Sequence, residues 1–160
     1  MRNDAFGFLV LPCTGLLVIG CGSDGSGSSC PTGQIPCDGV CIPEIDPVLE
    51  GPQGIQENIF SGPGPLGSCT PSSCHGTVNP QEMLELSSAA VSAANLIDVD
   101  SEQAPGKNRV TPSDVQASYL YNKLTDQDIA PDTDPMPQVG FPLCDAKIAA
   151  IEAWIAAGAL

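Results

Sequence analysis

Residues 145–158 read DAKIAAIEAWIAAG and carry the clearest structural signal in the chain. Ile148, Ile151, Trp154 and Ile155 recur at helical spacing, which predicts one apolar helix face between Asp145 and Ala157. Gly158 stands where a helix C-terminus favours a residue that accepts left-handed backbone. Further inward, Ser113 precedes Asp114 to Leu124, where Val115, Tyr119, Leu120 and Leu124 share a face. Asp114 would complement the dipole of that helix from its first turn. Ser87 is placed to cap a weaker helix from Ser88 to Leu96. Gln53 to Phe60 puts Ile55, Ile59 and Phe60 on one side before Gly62-Pro63-Gly64-Pro65 stops it. No alternating strand pattern of useful length is present. The expected fold is therefore mostly α, a small helical domain with long loops.

Composition narrows the partners. The chain has 160 residues, with 19 acidic and 5 basic side chains and a formal net charge of -14. Nucleic acid is excluded as a partner, because phosphate binding needs clustered Lys and Arg. Docking on anionic lipid through a basic face is excluded for the same reason. Aromatic residues make up 4%, which is thin for a self-sufficient core. Eight cysteines stand beside a single histidine. No G-x-S-x-G motif and no second histidine occur, so the sequence carries no hydrolase signal.

The first 20 residues read as a secretory signal. Met1 and Arg2 give a short positive start, and an apolar run follows from Ala5 to Ile19. The run is too short to span a membrane comfortably. Val18-Ile19-Gly20-Cys21 resembles the lipobox of bacterial lipoproteins, in which the cysteine is acylated and becomes the first residue. Cys21 is thus the expected lipidation site and the membrane anchor. The destination is extracytoplasmic: the periplasm, or the outer membrane or cell surface. Cys13 would be discarded with the signal.

Residues 21–54 are expected to form a tether and linker, and residues 55–160 a domain. Between residues 21 and 80 there are 11 Gly and 9 Pro, against 3 Gly and 6 Pro between 81 and 160. Gly22 to Ser29 is a flexible tether by composition. Cys30, Cys37 and Cys41 follow among turn residues, a stretch expected to be disordered or stapled by disulfides. Three cysteines cannot all pair among themselves, so one must bond elsewhere. Glu44 to Gly54 reads as an acidic, Pro-rich linker.

The only histidine sits in Ser68-Cys69-Thr70-Pro71-Ser72-Ser73-Cys74-His75-Gly76. A cysteine directly before a histidine is the end of the c-type haem motif C-x-x-C-H, here spaced C-x4-C-H. The wider spacing requires the intervening loop to bulge. The competing reading is a disulfide, between Cys69 and Cys74 or from either of them to another cysteine, with His75 a surface residue. A cytochrome needs a sixth ligand, often a methionine thioether. Met136 lies in Asp134-Pro135-Met136-Pro137, whose prolines restrict its backbone.

The order of these parts resembles the cytochrome c-like domain of planctomycete and myxobacterial surface proteins. The likeness rests on Cys74-His75, on Arg109 to Leu124, on Met136-Pro137 and on the last helix, and covers about residues 55 to 160. It implies a covalent haem c, with Cys69 and Cys74 as thioether sites. It implies His75 as proximal and Met136 as distal iron ligand, with Trp154 and Ile151 packing the last helix on the first. The function implied is that of a lipid-anchored monohaem electron carrier meeting a basic redox partner protein. The rival is a haem-free, disulfide-stapled surface lipoprotein serving as a binding or structural module. If haem takes Cys69 and Cys74, then Cys30, Cys37, Cys41 and Cys144 can make two disulfides. If it does not, Cys144 can pair with Cys69 or Cys74.

Overall fold

A computed structural model describes residues 30–37, 39–62, 68–139 and 142–160. The signal sequence, the lipobox with Cys21, the Gly22 to Ser29 tether and Phe141 lie outside the described residues.

The fold is not mostly α. Among the described residues four short α-helices are joined by long irregular segments, and a two-stranded sheet precedes them. Strands β1 (Gln34–Cys37) and β2 (Val40–Pro43) pair antiparallel, with Ile35 opposite Ile42 and Cys37 opposite Val40. Gly39 has a φ of 82°, the left-handed backbone that a tight hairpin turn demands and that glycine supplies without strain. The cysteine segment is thus a hairpin, not a disordered stretch. Cys30–Cys41 closes it, with 11 residues of separation. Cys37–Cys144 bonds it to the start of the last helix across 107 residues. Two disulfides suit an oxidising, extracytoplasmic environment. Among the described residues no helix is long and apolar enough to cross a membrane.

Helix α1 (Pro47–Ile55) begins inside the stretch that composition marks as linker. Pro47 suits a first helical position, where no backbone N–H is needed. Gly51 (φ 54°, ψ -147°) breaks the helix, and Pro52 restarts it. A π-helical turn, Gln56–Phe60, continues from it. Helix α2 (Ala89–Leu96) is capped by Ser88, whose hydroxyl accepts from Val91 N–H. The cap falls one residue after Ser87, whose own hydroxyl donates to the Glu85 carboxylate.

Helix α3 (Tyr119–Thr125) is shorter than the periodicity suggests. The Asp114 carboxylate accepts from Ala117 N–H at 3.0 Å, and the Ser118 hydroxyl donates to Asp114 O at 2.7 Å. These local bonds satisfy the backbone without a helix, and the chain takes the turn they offer. Helix α4 (Asp145–Ala156) matches its expectation. It ends with Ala159 N–H donating to Trp154 O and Gly158 N–H to Ile155 O, both at 2.9 Å, and Gly158 at φ 102°. That is the paired closure of a Schellman cap.

The core lies where α1 and its π turn meet α4. Ile55, Ile59 and Phe60 pack with Ile151, Trp154 and Ile155, joined by Leu86, Leu96, Val110, Leu124 and Leu143. Each such side chain contributes about 1.5–3 kcal/mol when fully buried. The last helix therefore does pack on the first through Trp154 and Ile151. A second small cluster holds Cys37, Ile42 and Cys144 around the longer disulfide.

Candidate haem-attachment site

The site is a loop pinned at both ends. It leaves the π turn where Cys69 N–H donates to Phe60 O at 2.7 Å. It turns at Pro71, whose carbonyl accepts from Cys74 N–H (2.9 Å) and Gly76 N–H (3.1 Å). His75 N–H then donates back to Cys69 O at 3.0 Å. The two residues that C-x4-C-H adds over C-x-x-C-H are taken up in this turn, and the backbones of Cys69 and His75 are joined across it. Gly76 is buried in the closure: a Cβ there would stand 2.7 Å from Thr70 O. No side chain fits without moving backbone.

Past His75 the chain is fastened to the core. Leu86 N–H donates to His75 O at 2.8 Å, and the Gln56 amide donates to Leu86 O at 2.9 Å. Gln56 also accepts from the Ser92 hydroxyl at 2.6 Å, so α1's π turn, α2 and the histidine loop share one buried side chain. Sequence reading missed Gln56, because a polar residue among apolar ones reads as the outer face of a helix.

The imidazole of His75 is half-buried. Its Nδ1 lies 3.0 Å from Leu84 O. A carbonyl can only accept, so Nδ1 carries the proton and the neutral ring keeps its lone pair on Nε2. Burial lowers the His75 pKa, opposed by the Leu84 and Gln81 carbonyls, and Arg109 lowers it further. The neutral ring, the ligand form, is favoured.

Cys69 and Cys74 are both free thiols, while the other described cysteines are paired. Neither bonds Cys144, whose sulfur belongs to Cys37. Cys69 packs against the main core, and burial pushes its thiol from 9.0 up to about 11, against the pull of Lys147. It is therefore a protonated thiol at neutral pH, unsuited to nucleophilic catalysis as a thiolate.

No family model, curated protein or solved structure matches this chain. The site's chemistry therefore rests on its own geometry.

Met136 stands on a separate loop. Its N–H donates to Lys123 O at 2.7 Å, and its peptide bond to Pro137 is cis. Its side chain is half-buried against the same core cluster that Cys69 and Leu84 touch. Met83, the other methionine after the signal, does not pack inward: it is 67% exposed.

Arg109 is a further residue that sequence reading missed. It is buried and donates to Asn95 O and Glu82 O, both at 2.9 Å, which ties the loop after His75 to α2. Lys123 and Lys147 are also buried. Among the described residues the only ion pair is Lys107–Asp128 on the surface. Among the described residues Arg109, Lys123 and Lys147 are buried while most acids are exposed, so little cationic surface offsets the acidic face.

The residue types would suit a c-type haem: two free thiols and a neutral imidazole oriented through Nδ1 share one loop, and the Met136 thioether stands on another. Trp154 Nε1 is buried with no acceptor among the described residues, so a bound group could supply one. Val78, Met83 and Val139 leave large apolar surface exposed within eight residues of His75 or Met136 in sequence.

Proposed function

We propose that this protein is an exported, lipid-anchored electron carrier that holds one covalent haem c. Cys69 and Cys74 would attach the haem through thioethers, and His75 Nε2 and Met136 Sδ would bind its iron. The haem supplies one-electron chemistry at iron. The chain's own residues do the rest. The Pro71 turn brings both cysteines beside the histidine, the Leu84 carbonyl fixes the imidazole tautomer, and burial keeps that imidazole neutral. The framework is the irregular one described above, in which disulfides complement a small core.

One observation carries the reading. Among the described residues four cysteines are joined in two disulfides, and the two free thiols, Cys69 and Cys74, lie just before the only histidine. In an oxidising compartment a reduced pair needs a reason, and addition to haem vinyl groups requires thiols. The anchor would be the lipid on Cys21, and the anionic surface would select a basic redox partner.

The test is to export the full chain in cells carrying a cytochrome maturation system, then denature the product. Haem absorbance should stay with the polypeptide and vanish in the Cys69→Ala/Cys74→Ala variant. A haem-free product whose mass shows a third disulfide overturns the proposal and favours a stapled structural lipoprotein.

A further inference from the structure

We infer that Lys123 is the positioning residue for the Met136 thioether. This rests on the proposal that Met136 is an iron ligand, but the lock it describes exists in the chain without haem. Lys123 lies in α3, buried to 5% exposure in a protein with few cations. It grips the methionine loop twice. Its Nζ donates to Asp134 O, two residues before Met136, and its backbone O accepts from Met136 N–H at 2.7 Å. One residue thus fixes the chain on both sides of Pro135.

The neighbours complete the clamp. Tyr119, one turn earlier in α3, has the Lys123 ammonium 6.0 Å from its ring centroid. Its hydroxyl accepts from Ala130 N–H at 3.1 Å and lies 3.4 Å from Thr133 Oγ1. The segment so held is otherwise unfavourable: Asp126, Asp128 and Asp132 all have positive φ. Such backbone persists only where surroundings over-determine it. Lys107 bonds Asp128 from the other side, but that pair is exposed and adds little.

The expected consequence is control of ligation rather than of haem attachment. A Lys123→Leu variant removes the donor without adding a second thioether; Lys123→Arg keeps a donor. In the haem-loaded protein, Lys123→Leu should retain one covalent haem but lose the iron–methionine charge-transfer band and lower the reduction potential. Lys123→Arg should restore both. Retention of the band and potential in Lys123→Leu overturns the inference. In haem-free protein, peroxide should oxidise Met136 about tenfold faster in Lys123→Leu, because a charge-assisted bond no longer holds the loop shut. Tyr119→Phe should move the same way by less. If the wild type takes up no haem, the haem proposal fails, while the peroxide rates still decide whether Lys123 locks the loop; unchanged rates sink it.

Discussion

Removing the Cys37–Cys144 bridge should destabilise the protein more than removing Cys30–Cys41, by an amount set by loop length. The two bridges close loops with separations of 107 and 11 residues. They interleave, so neither shortens the other's loop appreciably. In the chain-entropy account, closing the longer loop contributes about 4.8 kcal/mol at 25 °C and closing the shorter about 2.8 kcal/mol. The difference, about 2 kcal/mol, is the firmer quantity, because the constant part of the closure cost cancels. Burial adds in the same direction. Cys37 and Cys144 sit at 6% and 8% exposure in one small cluster with Ile42, and Cys41 is exposed.

The assay is urea unfolding of Cys30→Ala/Cys41→Ala and Cys37→Ala/Cys144→Ala in the haem-free chain. Trp154, the only tryptophan and 2% exposed, reports the core interface of α1 and α4. The Cys37/Cys144 variant should have the lower midpoint, by about 2 kcal/mol at equal m-value. Equal losses, or a larger loss from the short bridge, would refute the reasoning and mean that the hairpin contributes nothing to the helical core.

Two other outcomes follow from the site. Alkylation of Cys69 in the folded, haem-free chain at pH 8 should run about a hundredfold slower than in urea, since its pKa stands near 11 rather than 9.0. A folded pKa above the unfolded one stabilises fully below pH 9.0, and that contribution is lost as pH rises towards 11; equal alkylation rates would exclude a buried thiol. Gly76→Ala forces a Cβ to 2.7 Å from Thr70 O and 3.1 Å from Pro71 C, both backbone, and should cost about 1–3 kcal/mol in urea unfolding; a neutral result would mean that the turn is not closed.

The elements legible in the sequence are those governed by short-range rules. Helix α4 was readable because its apolar spacing, Asp145 start and Gly158 stop agree with one another. Helix α2 was placed within a residue because a serine cap was expected. The mostly α expectation failed where side chains outbid periodicity. Val115, Tyr119, Leu120 and Leu124 are spaced as a helix face, yet Asp114 and Ser118 bond the local backbone and delay α3 to Tyr119. The hairpin was missed although its signal is present. Asp38-Gly39 separates two short runs, with Ile35 and Cys37 before it and Val40 and Ile42 after. Each run is only four residues long, too short for its alternation to stand out among the surrounding turn residues.

Residue types identified the candidate site, but parity could not choose among cysteine pairings, because both alternatives used an even number. The choice depends on a contact 107 residues apart, which local pattern does not encode. Its consequence reaches the site through α4. Cys144 begins that helix with its sulfur in a disulfide and no side-chain cap bond. Lys147, one turn on, is buried near enough to Cys69 to oppose its desolvation. The lysine that weakens the helix start by dipole arguments thus also pulls the Cys69 thiol pKa down against burial. The long bridge joins the N-terminus of α4 to the hairpin and removes Cys144 from competition for Cys69 and Cys74. A disulfide remote from His75 in sequence thus narrows the described partners of Cys69 and Cys74 to each other or to a bound group.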